Sequence, residues 1–179
     1  MTARTTLLWI THSAMFIALL VILQALTAPL GNMLITGSIV NLLLIISVKI
    51  CGLSSGLTVA IISPIMAKLF GIGPLWSLIP FIALGNLSLM LVWHYLGKLT
   101  LANSTLLFTL TLVLGALVKF CVLYIGIVRI AIPLLLTLPP AQASTIAAMF
   151  STPQLVTALI GGFTAGLVLP RLEQGRYER

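Results

Sequence analysis

The sequence predicts an all-α integral membrane protein with six transmembrane helices and both termini cytoplasmic. Three observations carry that reading. Hydrophobic residues make up 60% of the chain and charged ones 6%, with a mean hydropathy of +1.26, which excludes an ordinary soluble fold. The apolar residues fall in runs broken by Gly, Pro and single polar residues, and about 20 apolar residues cross a hydrocarbon core. The basic residues stand singly between these runs, where the positive-inside rule accounts for most of them.

The first run, Leu7 to Thr27, stops at Pro29 and Gly31. Ala14 and Ala18 lie four residues apart within it, so a helix stacks them on one face, extended by Thr11, and leaves a groove for a neighbouring helix. That neighbour is either another helix of this chain or a partner protein. Arg4, the apolar run and the small residues Ala25 to Ala28 have the outline of a signal peptide, but the run is long for one and more spans follow. A connection, Ala28 to Gly37, carries Asn32 and Thr36.

The second span, Ser38 to Ile50, is short by itself and has room to begin inside that connection. The third runs from Leu53 to Leu69 around Pro64, and Gly71, Gly73 and Pro74 make the next turn. The fourth is Leu75 to Leu96, with Trp76 and Trp93 about 25 Å apart on a helix, the spacing of two interfacial belts. The fifth is the longest, Ser104 to Leu136, and is expected to tilt or break before Pro133. A polar linker leads to a short helix at Thr145 to Phe150. Ser151 or Thr152 caps the sixth span, Pro153 suits its first turn, and Pro170-Arg171 ends it. Ala158, Gly162 and Gly166 put a small-residue stripe on this last helix. One membrane domain, residues 1 to 179, is expected.

With the amino terminus inside, Arg4, Lys49, Lys98, Arg171, Arg176 and Arg179 lie on the cytoplasmic side, and Lys68 and Arg129 near the outer face. Both carboxylates, Glu173 and Glu178, belong to the carboxy-terminal tail, and the net charge is +7. Scattered single cations do not make a nucleic-acid surface, so no nucleic-acid partner is expected; the lipid bilayer is.

Lys119 is the most informative residue. Counted from Ser104 it lies on the order of 20 Å into the membrane, where a cation costs at least ~3 kcal/mol and faces a cavity or an anion. The chain offers it no carboxylate. Three readings stay open: it binds an anionic ligand, it snorkels or rests on helix carbonyls, or it sits neutral. Arg129, ten residues on, is either a second anion contact or an interfacial arginine. Gln24, Asn32, Thr36, Asn41, Ser63, Asn86, Tyr124 and Gln154 gather in the outer half of the membrane, either around an outward-facing polar pocket or as interhelical hydrogen bonds. No enzyme, metal or cofactor is expected, since acidic residues for metal binding or general acid and base work are missing and there is no nucleotide-binding loop.

The chain resembles the S components of energy-coupling factor (ECF) transporters, the substrate-binding membrane subunits of prokaryotic vitamin importers. The resemblance rests on the size, the six spans with both termini inside, Ala14-x-x-x-Ala18 in the first helix, and the stretch from Gly37-Ser38-Ile39-Val40-Asn41 through Pro80-Phe81-Ile82-Ala83-Leu84-Gly85-Asn86. It implies that Ala14 and Ala18 contact a transmembrane scaffold subunit bound to two ABC-type ATPases in the plasma membrane. It also implies an outward-facing vitamin pocket covered by the connection between helices one and two, and release inside by toppling of the protein. Asn32, Thr36, Asn41, Asn86, Lys119 and Gln154 are then the substrate-binding candidates, joined by Tyr124 and Arg129 on position alone. An unpaired Lys119 points to a carboxylate or phosphate on the substrate, and pantothenate is one candidate. The rival expectations are a structural subunit that binds no solute, and a small self-sufficient carrier.

Overall fold

The computed structural model describes residues 3–98 and 104–177, and these are almost wholly helical. The helices are α1 (Ala3–Thr27), α2 (Met33–Cys51), α3 (Leu53–Leu69), α4 (Ile79–Leu96), α5 (Ser104–Leu123), α6 (Pro140–Met149) and α7 (Thr152–Tyr177). Five stretches are long and apolar enough to cross a membrane: Arg4–Leu30, Met33–Cys51, Trp76–Leu96, Thr105–Leu135 and Pro140–Leu172. The predicted third span, α3, is apolar but shorter, at 17 residues.

Local chemistry sets most boundaries. The connection after α1 is tighter than the sequence suggests. A single turn of 3₁₀-helix, Ala28–Leu30, ends at Gly31 in the left-handed region (φ 64°), a conformation a side chain would oppose. Asn32 then caps α2, its Oδ1 accepting from the backbone N–H of Leu34 and Ile35 at 3.0 and 3.4 Å, so α2 begins at Met33 instead of Ser38. Gly52 (φ 84°) alone separates α2 from α3. Pro80 occupies the first turn of α4, where its missing N–H costs nothing.

The long fifth element does not stop before Pro133. After Leu123 it continues as a π-helix, Tyr124–Leu135, with Pro133 inside it; the wider winding takes the chain past a residue that could not donate within a regular helix. The short helix that follows starts at Pro140, five residues before the expected Thr145. Pro170 does not end the last helix, which runs on to Tyr177 and loses one donor there.

In the packing, α2 is central and touches α1, α3, α4 and α7, while α5 lies against α4 and α7. The main core gathers Phe16, Leu20, Leu44, Ile45, Val59, Leu89 and Met90; a smaller one joins Leu78, Leu123, Ile127 and Ala131 to Ile146 and Phe150. Trp93 is not the belt residue its spacing predicts. It is 4% exposed and meets Phe108 edge to face at 6.1 Å, because the glycines of α7 make room: a Cβ on Gly162 would stand 3.0 Å from its ring, and one on Gly166 would run into Phe108. The small-residue stripe on α7 is therefore filled from within this chain.

The opposite holds for α1. Thr11, Ala14 and Ala18 are exposed, while Ser13, Phe16 and Leu20 turn into the bundle. Lys49 Nζ donates to the carbonyl of Gly97 at 3.3 Å, which brings the ends of α2 and α4 together as the charge pattern predicts; Lys68 lies at the other end, within 3.5 Å of the Gly73 carbonyl.

Candidate functional site

Where α1, α3 and α5 approach their ends and α2, α4 and α7 begin, the helices enclose a cavity of about 190 Å³. Lys119 sits in its wall, 4% exposed. Its ammonium neither snorkels nor rests on helix carbonyls. It donates to Oδ1 of Asn41 on α2 and, at 2.8 Å, to Oδ1 of Asn86 on α4. Asn41 and Asn86 are themselves 1% and 3% exposed. Both partners are neutral amides, so they solvate the Lys119 amine with dipoles and bring no counter-charge.

The orientation of Asn41 is enforced from its far side. Its Nδ2 donates to Oγ1 of Thr157 on α7 at 3.3 Å, and that hydroxyl donates in turn to the carbonyl of Gln154 at 3.1 Å. With the hydroxyl proton committed to Gln154, Thr157 accepts from the amide nitrogen and leaves the amide oxygen for Lys119. Four helices thus meet in one polar chain, Gln154–Thr157–Asn41–Lys119–Asn86. It is possible because the α2–α7 seam is narrow: a Cβ on Gly37 would stand 2.8 Å from Thr157, and one on Gly161 would stand 2.6 Å from the Ser38 carbonyl.

Of the residues singled out in the sequence, Thr36, Asn41, Asn86, Lys119 and Gln154 line this cavity together with Gln24 and Ser63. Gln154 Nε2 also donates to the Met149 carbonyl at 3.1 Å, tying the start of α7 to the end of α6. Met33, Val40, Pro64, Ala67, Ile79, Ile82, Leu123 and Phe150 supply apolar walls, and the turn Ile72–Pro74 adds another side.

Three candidates are not part of that lining. Asn32 is exposed and spends its side chain on the α2 cap. Arg129 is exposed and lies over the ring of Tyr124, 5.6 Å from its centroid, and Tyr124 stacks on Phe120. The π-helical winding that begins at Tyr124 turns Arg129 away from the face of Lys119, whereas Tyr124, five residues on, is about 140° round the helix from Lys119 even with regular winding. Thr157 is the residue that sequence reasoning missed. It looks like any other threonine in an apolar helix, and only its partner across the seam distinguishes it.

An all-helical membrane protein with a buried, donor-rich cavity at one end of its bundle fits a solute-binding membrane protein. The cavity carries a lysine amine with no acidic partner among the described residues, amide groups and apolar walls, which is equipment for holding a small polar molecule. The family model for the ECF transporter substrate-specific component matches residues 9–173, nearly the whole chain, and the chain belongs to that family. No curated protein and no solved structure matches it.

Proposed function

We propose that this chain is the specificity subunit of an ECF-type importer. It takes an anionic vitamin or related micronutrient, for which pantothenate is one candidate, from outside a prokaryotic plasma membrane and delivers it through a scaffold subunit and two ABC-type ATPases. In this reading six spans, counting the short α3, place both termini inside and the cavity in the outer half of the membrane. The observation that carries the anionic ligand is Lys119: a cation buried beside a cavity, with only neutral amide partners, is complementary to a carboxylate or phosphate.

Mass spectrometry of small molecules released from the purified protein, followed by tryptophan-fluorescence titration against a vitamin panel, tests this reading. One anionic vitamin at near-equal stoichiometry is expected. Absence of any ligand in both assays would sink it in favour of a structural subunit.

The exposed face of α1 supports the scaffold contact. Ala14 and Ala18 leave a shallow strip on which another helix can approach closely, and no helix of this chain fills it as α7's stripe is filled. Replacing both with Trp is expected to abolish co-purification with the scaffold and uptake, while the ligand affinity of the isolated protein stays within about twofold, because neither alanine is among the residues that line the cavity. Unimpaired uptake by the double variant would refute the assignment.

A further inference from the structure

We propose that the ligand has two polar ends: the anion that Lys119 holds, and a separate hydroxyl or amide that hydrogen-bonds Gln24. This rests on the reading of the cavity as a ligand site and adds a second requirement to it. Gln24, near the end of α1, lines the same cavity. Its Oε1 is buried and has no hydrogen-bond partner among the described residues. The other amides are engaged, Asn41 by Lys119 and Thr157, Asn86 by Lys119, and Gln154 by Met149.

A buried carbonyl oxygen that nothing in the fold satisfies is unfavourable, and its natural complement is a donor brought by whatever fills the cavity. Turning the amide over would exchange the buried oxygen for the nitrogen. A ligand hydroxyl or secondary amide satisfies either end, since each both donates and accepts. Gln24 and Lys119 also stand on separate walls. Helix α1 packs on α2 and α3, whereas Lys119 is carried by α5, which packs on α4 and α7. A molecule that reaches both spans the cavity, and the part between them meets Pro64, Ile79, Ile82 and Leu123. The chemical class that fits is a small carboxylate or phosphate with an apolar middle and a hydroxyl or amide at the far end.

The experiment is a binding titration on the full chain in detergent with pantothenate, biotin and lipoate. All three carry a carboxylate on a short chain; pantothenate has hydroxyls and an amide, biotin a ureido group, and the dithiolane of lipoate offers neither. Pantothenate or biotin is expected to bind at least about tenfold more tightly than lipoate, equivalent to about 1.4 kcal/mol. Gln24→Met should erase that gap by weakening pantothenate or biotin while lipoate binds at least as tightly as to the wild type, which also shows that the variant is folded, whereas Lys119→Met should weaken all three. Equal binding of lipoate by the wild type, or a gap that survives in Gln24→Met, overturns the second contact and leaves the Lys119 contact standing. Failure of all three to bind the wild type overturns both.

Discussion

Lys119→Met should weaken binding of the carboxylate ligand by about 10- to 100-fold, the worth of a charge-assisted hydrogen bond made in a site shielded from water. Methionine keeps an unbranched side chain of about the same reach, one atom shorter, and removes the charge and donors, so the loss reports chiefly on the ammonium. The unliganded protein is expected to melt within a few degrees of wild type, because two effects oppose one another. Removing a buried, unneutralised cation relieves its desolvation cost. Taking away its donor leaves Oδ1 of Asn41 and of Asn86 unsatisfied, at about 1–3 kcal/mol for each oxygen that cannot turn toward the cavity. Isothermal titration with the identified ligand and a melting curve without it separate the two quantities. An unchanged affinity would remove Lys119 from the binding site whatever the melting curve showed.

Gly161→Ala should be strongly damaging for a single added methyl group. Its Cβ would lie 2.6 Å from the Ser38 carbonyl oxygen, 2.7 Å from Asn41 Cβ and 2.9 Å from the Leu42 nitrogen. Two of these neighbours are backbone of α2 and cannot swing aside, so α7 must move away. Overpacking costs about 1–3 kcal/mol, and a site closed by backbone belongs at the upper end, which lowers the melting temperature by about 5 °C or more in a chain of this size. Ligand affinity should fall with it, because the same displacement pulls Thr157 from Asn41. Gly162→Ala is the control. Its Cβ would meet the end of the Leu112 side chain at 2.5 Å and the Trp93 ring at 3.0 Å, and a leucine methyl can rotate away, so a milder loss is expected. Equal melting of both variants and wild type would show that the seam is looser than its geometry requires.

These two sites differ in how far the sequence announced them. Lys119 was legible because one cation inside an apolar run is conspicuous, and Asn41, Asn86 and Gln154 because amides are rare there too. Gly161 and Gly162 are neighbours in sequence, and nothing in the pattern distinguishes the one that meets backbone from the one that meets a side-chain tip. The helix count followed from hydropathy and from Gly and Pro punctuation, and the bounds of α3 matched at both ends. Errors arose where backbone chemistry is set by a local competition. Pro140 started the short helix a turn earlier than expected, and π winding carried the chain through Pro133; the start of α2 inside the connection, where the Asn32 cap sets it, was one the short second span had left room for. That same winding is why Arg129, placed near the face of Lys119 by α-helical counting, is not among the residues around it; Tyr124 was placed by depth in the membrane alone, and depth does not decide which way a helix face turns. Trp93 misled because belt spacing and burial against Phe108 look identical along a sequence.

The missing counter-charge at Lys119 also decides which half of a delivery cycle feels the membrane voltage. Under the proposed function, with release by reorienting, the loaded form would pair the ammonium with the ligand's anion and carry no net charge at the cavity, so its inward movement would be electrically silent. The vacated form returns with the cation exposed to the field. With the cell interior negative, each 100 mV opposes a full outward crossing by about 2.3 kcal/mol. On that proposal, recovery of the outward-facing state, and not uptake itself, would be the voltage-sensitive step and the one on which an energy-supplying partner would be most needed.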